Sequence, residues 1–231
     1  MRRFVWTLLA TLSMTSCTAD DPLGPQAGSG DSQLAVLNAL AATDGVRLEV
    51  DGVALVSPAP GATGSKALEP GAHRIEARSL SGGDVLASAN FAVAAGGRIS
   101  AVLSGATGKT VVLLVVTDTA SLPPVGAAKV RLVHTVPKAP IYDSYLYPVG
   151  EQSDSNGRFV TPFMFATGSY PEFPGYAVRG PGTYRVWLKL TGQTAIALES
   201  APFTMGAGQV YSVVLSENAA GTQELRIVRE R

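Results

Sequence analysis

The chain has 231 residues, 18 basic against 18 acidic side chains, two histidines and one cysteine, with 25 glycines and 15 prolines. A balanced charge supplies no basic field on which nucleic acid would condense, so that partner class is disfavoured. A lone thiol forms no internal disulfide, and the abundant Gly, Pro, Val, Ala and Thr suit short strands joined by turns, in one or two domains.

Arg2 and Arg3 precede an apolar stretch from Phe4 to Leu12, and the small Thr15 and Ser16 lead to Cys17. That is the charged, apolar, small-residue order of a bacterial secretion signal. The apolar run falls well short of the roughly 20 residues that span a bilayer. Met14-Thr15-Ser16-Cys17 resembles a bacterial lipobox. The resemblance implies that the chain is cut before Cys17, that its thiol is diacylated with palmitate-type chains, and that the new amino terminus is acylated too. Acyl chains at about 0.8 kcal/mol per buried methylene anchor firmly once more than one is attached. The expectation is a signal peptide over 1–16 and an exported protein held to a membrane by lipid. Thr18 in place of Asp after Cys17 points to the outer membrane if the cell is Gram-negative. Cleavage removes two arginines, leaving 16 basic against 18 acidic side chains. An ordinary signal peptide with a chance cysteine is the alternative.

Residues 17–32, the acylated Cys and a Gly/Pro/Ser/Asp-rich run, read as a flexible tether. Beyond it the chain repeats itself. "EPGAHRIEA" (69–77) answers "GPGTYRVWL" (180–188), "ISAVLS" (99–104) answers "YSVVLS" (211–216), and Phe91 answers Phe203. Their separations are 111 or 112 residues. Upstream, "VLNALAATDGVRLEV" (36–50) lies opposite Leu132 and "VHTVPKAPIYDSYL" at a separation of 96, so the second copy carries about 15 extra residues before its Pro-Gly turn. Two homologous domains are expected, 33–118 and 128–231, joined by a linker at 119–127.

Within each copy the period is two. Tyr184, Val186, Leu188 and Leu190 form one apolar face, and Arg185, Trp187 and Lys189 point the other way. His73, Ile75 and Ala77 repeat the inward pattern. Val111–Val116 is a continuous apolar run read as a strand buried on both faces. The predicted fold is all-β: two tandem antiparallel β-sandwich (immunoglobulin-like) domains of about seven strands each.

Residues 129–147, "KVRLVHTVPKAPIYDSYLY", with the later "PGTYRV" and "GQVYSVVLS", resemble a bacterial envelope family known as domain-of-unknown-function family 4397. The matching residues are His134, Pro137, Ala139-Pro140 and Asp143. The first copy has Asn38 opposite His134 and Arg47 opposite Asp143, and reads as a diverged member. The resemblance implies an exported or surface-attached protein and brings no catalytic residues.

No constellation of reactive residues stands out. "GATGKT" (105–110) has Leu103 where a phosphate loop needs glycine, and a Val-rich strand follows where a helix is required, so it reads as a hairpin turn. His73 and His134 lack neighbouring ligands, so no metal or cofactor is expected. A hydrogen bond from His134 to Asp143 across a strand pair would be structural. Asp154 and Asn156 read as a turn. No serine sits in a Gly-x-Ser-x-Gly elbow.

The aromatics are more informative. Fourteen lie beyond the signal; Phe91 alone is in the first copy, and eleven fall between Tyr142 and Trp187. Tyr170, Phe173, Tyr176 and Trp187 are the candidate binding residues, an aromatic platform for a glycan or an envelope protein. The alternative is a long connection folding its rings onto its own sandwich. The resulting reading is a lipid-anchored, non-catalytic binding or structural module of the cell envelope. An envelope-polymer hydrolase and a ligand-free spacer are the competing classes.

Overall fold

The structure, a computed structural model, describes residues 32–40, 46–55, 59–105, 111–117, 122–151, 158–163 and 175–231. The signal, Cys17 and nearly all of the tether lie outside them. The described residues form strands and no helix. The first half contains β1 (Ser32–Leu40), β2 (Val46–Val50), β3 (Val53–Leu55), β4 (Thr63–Leu68), β5 (Gly71–Ser79), β6 (Val85–Val93), β7 (Arg98–Gly105) and β8 (Val111–Thr117). They make two sheets, ordered β4-β1-β7-β8 and β3-β2-β5-β6. The second half contains β9 (Ala128–His134), β10 (Tyr142–Pro148), β11 (Arg158–Phe163), β12 (Ala177–Arg179), β13 (Gly182–Leu190), β14 (Ile196–Glu199), β15 (Phe203–Met205), β16 (Val210–Glu217) and β17 (Gln223–Arg229). Its sheets are β12-β9-β16-β17 and β11-β10-β13-β14, with β15 also pairing with β13.

The second half thus reproduces the first strand by strand. Register makes the equivalence residue-specific. Leu34 pairs with Ile99 in one half, and Val130 with Tyr211 in the other. The blocks matched in sequence therefore occupy the same places in the two sandwiches. One feature departs from a wholly antiparallel sandwich: β1 pairs with β7, and β9 with β16, in parallel. Such pairs need a long crossover, and here the intervening strands of the opposite sheet supply it.

Period-two alternation explains the two sandwich cores. Leu34, Val36, Leu48, Ile75, Ala101 and Leu113 pack inside the first; Leu132, Leu146, Val186, Leu188, Val213 and Leu215 pack inside the second. The opposite faces of β1, β7 and β8 are apolar as well. Ala35, Leu37, Ala39, Val102, Leu114 and Val116 meet Val133, Val214 and Val228 of the second half in a third core. The molecule is therefore four layers deep, and its two middle sheets are buried on both faces. The Val111–Val116 run is a strand of this kind, as expected, although it lies at a sheet edge. Burial of these nine side chains is worth on the order of 10 kcal/mol as an upper figure. Ser104 Oγ donates across the seam to Thr135 Oγ1 at 2.6 Å.

Candidate binding face on the second sandwich

The face of β10 and β13 away from the sandwich core carries the residues that alternation turns outward; Asp143, Tyr145, Tyr147 and Lys189 are nonetheless buried there, and Arg185 and Trp187 are half-buried. Antiparallel pairing sets Asp143 opposite Lys189, Tyr145 opposite Trp187 and Tyr147 opposite Arg185. The Tyr145 and Tyr147 rings stack at 6.1 Å with 4° between planes. Trp187 tilts onto Tyr147 at 4.7 Å, and the Lys189 ammonium lies 4.9 Å from the centre of the Tyr145 ring. Trp187 also stands opposite Glu199 of β14. The indole N–H beside it, and then the Arg185 guanidinium bonded at 2.5 Å, hold the Glu199 carboxyl below the ordinary glutamate range. Tyr147, Gly150, Glu151, Arg185 and Trp187 border a cleft of about 210 Å³ at the end of this face.

The same face of the first sandwich is built from ions. Glu49 stands opposite Glu76, and Arg47 opposite Arg78. Arg47 and Arg78 both reach Glu49, at 2.9 and 2.8 Å, while Arg74 reaches Glu76 at 2.7 Å. Repeat equivalence places Glu49 where the second half has Tyr145, Asp51 where it has Tyr147, and Glu76 where it has Trp187. An ion-pair ladder in one copy has become a ring ladder in the other.

Trp187 lies on the outward face, as alternation predicts, and is half-buried. Tyr176 is also half-buried, but it packs within its own fold. Its ring lies 4.7 Å from the Arg131 guanidinium, and its hydroxyl donates to Glu230 Oε2 at 2.8 Å. Tyr170 and Phe173 lie outside the described residues, as do Asp154 and Asn156. Tyr145 and Tyr147 were absent from the sequence-derived candidates. Period-two reading of "YDSYLYP" as the partner of "TYRVWLKL" is the signal that identifies them.

The expected His134–Asp143 bond across a strand pair needs correction. β9 and β10 belong to different sheets, so the two residues are not cross-strand neighbours. His134 points into the core, where its ring sits 6.4 Å from Tyr142; Asp143 lies on the outer face opposite Lys189. Burial, opposed in part by backbone contacts at Pro140, lowers the His134 pKa to about 4.

His73 borders an open cleft of about 480 Å³ with Asp51, Arg74, Asn90 and Phe91. Its Nδ1 meets Asp51 Oδ2 at 2.7 Å and its Nε2 meets the Glu69 carbonyl at 2.7 Å. Both partners accept, so both ring nitrogens must donate and the group is an imidazolium. The Asp51 bond, then the Glu69 carbonyl, raise its pKa, and Asp51 is lowered in turn. A ring with neither nitrogen free is a poor general base. Among the described residues, no group of three or more His, Cys, Asp or Glu is placed to hold a metal ion.

The fold defines a tandem all-β sandwich protein with an aromatic face on its second repeat. The family model described as "Domain of unknown function (DUF4397)" matches residues 32–145 of the chain. The match covers the first sandwich, β9 and half of β10, whereas the resemblance read from sequence lay chiefly on the second copy. The shared strand order reconciles the two. No curated protein matches the chain. Among solved structures, it is similar to one described as "Alpha-glucan binding by a streptococcal virulence factor", at 8% identity and TM-score 0.26, over 80% of this chain and 93% of that one. A glycogen-degrading pneumococcal virulence factor in a product complex is similar at 9% and 0.26, over 81% and 21%. A family CBM26 module from Eubacterium rectale, in complex with maltoheptaose, is similar at 7% and 0.25, over 87% and 97%. Scores at this level carry no argument about this chain.

Proposed function

We propose that the protein is a non-catalytic binding module of the bacterial cell envelope, held to the membrane by lipid on Cys17, and that its ligand is a glycan taken at the Trp187 cleft. The observation that carries the glycan reading is the Tyr147–Trp187 pair at 4.7 Å beside the Arg185–Glu199 ion pair, on a face that is ionic in the sister repeat. Sugars present an apolar C–H face to a ring and hydroxyls to charged hydrogen-bonding groups; at the cleft the half-buried Trp187, backed by the buried Tyr147, supplies the ring and Arg185 the charged group. The anchoring reading rests on the lipobox-like "MTSC" and the tether that follows it.

Trp187 is the only tryptophan beyond Trp6, so indole fluorescence of the chain lacking its signal reports this site alone. Titration with a panel of soluble envelope and storage oligosaccharides should shift the emission saturably for at least one of them. Trp187→Ala and Arg185→Ala, followed by calorimetry, should weaken that ligand about tenfold or more. Unchanged affinity in both variants, or no ligand in the panel, leaves a ligand-free spacer as the better reading. Separately, Cys17→Ser should move the protein from the detergent-soluble membrane fraction into the soluble fraction. Retention in the membrane fraction would refute lipid anchoring.

A further inference from the structure

β6 runs nine residues at the edge of β3-β2-β5-β6, and among the described residues no strand pairs with its outer side. Its sequence, VLASANFAV, contains neither a charge nor a proline. β8, at the edge of the facing sheet, is uncharged too: VVLLVVT. An open edge presents unpaired N–H and C=O groups, and sheets ordinarily blunt it with lysine, proline, a bulge or an interruption; β6 has one bulge, at Leu86 near its start, and is regular from Ala87 to Val93. The second repeat interrupts one of these edges and charges both on the same scaffold. There, the place of β6 is taken by two short strands, β14 and β15, separated by Ser200-Ala201-Pro202 and carrying Glu199. The place of β8 is taken by β17, with Glu224, Arg226 and Arg229.

We propose that β6 is a homodimerisation edge, on which a second copy of the chain pairs its own β6 antiparallel about a two-fold axis at Ala89. The strand is self-complementary in that register. Along the regular stretch after the bulge, Ser88 on the exposed face stands opposite the partner's Asn90, a hydroxyl–amide pair. On the inner face Ala87 meets the partner's Phe91, small against large, and Ala89 meets its own copy on the axis; Val85, set opposite Arg78 by the bulge at Leu86, lies outside this register. No charged residue faces another. Of the other described edge strands, β3 and β12 have three residues each, β4 holds Lys66, and β8, though uncharged, has most of its side chains buried. A donor strand from an unrelated protein would not require self-complementarity, which is why a second copy is the occupant chosen. The inference is independent of the glycan reading.

The chain from Thr18 onward contains every described strand and no cysteine. Sedimentation velocity from about 1 to 200 µM should show a reversible dimer. Ser88→Lys with Asn90→Lys, both on the exposed face, should give a monomer with unchanged circular dichroism and melting temperature, because four lysines would meet across the axis. Mixing the Ser88→Cys and Asn90→Cys proteins under mild oxidation should form a disulfide-linked pair several-fold faster than either protein alone. A monomer across the whole concentration range, a dimer that survives the lysine pair, or cross-linking without preference for the mixed pair would each overturn the proposal.

Discussion

Asn38 and His134 hold the same place in the two repeats and perform the same task with different atoms. The Leu40 N–H donates to Asn38 Oδ1 at 3.0 Å; the Val136 N–H donates to His134 Nδ1 at 3.3 Å. Each side chain closes its own backbone two residues ahead, where the inner strand leaves its sheet. Accepting at Nδ1 requires the neutral ring, because an imidazolium has only donors.

That relation makes His134 an acid-sensitive point. Its folded pKa of about 4 lies below the ordinary histidine value of 6.5, so below 6.5 the unfolded chain binds the additional proton. Stability should therefore fall as pH drops from 6.5 to about 4, by about 3 kcal/mol, and level off beneath that window. His134→Asn copies the first repeat and keeps an acceptor for the Val136 N–H. Urea unfolding at several pH values should show this variant weaker near pH 7, from the lost ring volume, yet without the His134 share of the acid slope. An unchanged acid slope would show that His134 does not titrate in this way.

His73 runs the other way. Its folded pKa is raised by Asp51 and the Glu69 carbonyl, so its stabilisation is complete below 6.5 and fades as pH climbs through the raised value. The lowered Asp51 carries the matching limb, lost as pH falls through its folded value, below 3.8. His73→Gln should flatten the alkaline decline and leave the His134 limb intact. Because Asp51 is 48% exposed, the effect should be small and should shrink in 1 M salt.

The repeat, the all-β class and the inward residues of β5 and β13 were legible because each depends on spacing along one strand. The four-layer stacking was not. Residues such as Leu37 and Val102 alternate with core residues that are themselves apolar, so period two vanishes in β1 and β7 and nothing local says what covers the second face. The expected His134–Asp143 pairing is absent for a related reason: nothing local in the sequence shows that the chain crosses from β9 to the other sheet at β10. Tyr145 and Tyr147 become legible only once β10 is paired with β13, a long-range fact.

The seam is satisfied at one end and frustrated at its pseudo-equivalent. Ser104 donates to Thr135 Oγ1, and Thr135 in turn donates to the Leu215 carbonyl at 2.7 Å. By repeat equivalence Ser216 answers Ser104 and Ala39 answers Thr135. A methyl group offers no acceptor, and the buried Ser216 Oγ has no hydrogen-bond partner among the described residues. Ser216→Ala should be neutral or stabilising by up to about 1 kcal/mol, while Ser104→Ala should cost about 1 kcal/mol. Equal losses in the two variants, measured by denaturant titration, would refute the asymmetry.

Arg131 is the largest fully buried side chain among the described residues, at the place where the first repeat has Ala35. It is held by Ser212 Oγ at 2.8 Å and by Glu230 at 3.1 Å, with the Tyr176 ring over the guanidinium. A desolvated cation tolerates its site only while its counter-charge is present. Glu230→Gln should therefore cost about 3 kcal/mol or more, whereas Tyr176→Phe, which leaves the ring on Arg131, should cost about 1–2 kcal/mol. Arg131→Met with Glu230→Leu removes both charges and should recover most of the loss. Because the seam burial is comparable to the whole stability of a domain, each variant should melt both sandwiches in one calorimetric transition. Two resolved transitions would mean that the halves are held together far more weakly than their shared core implies.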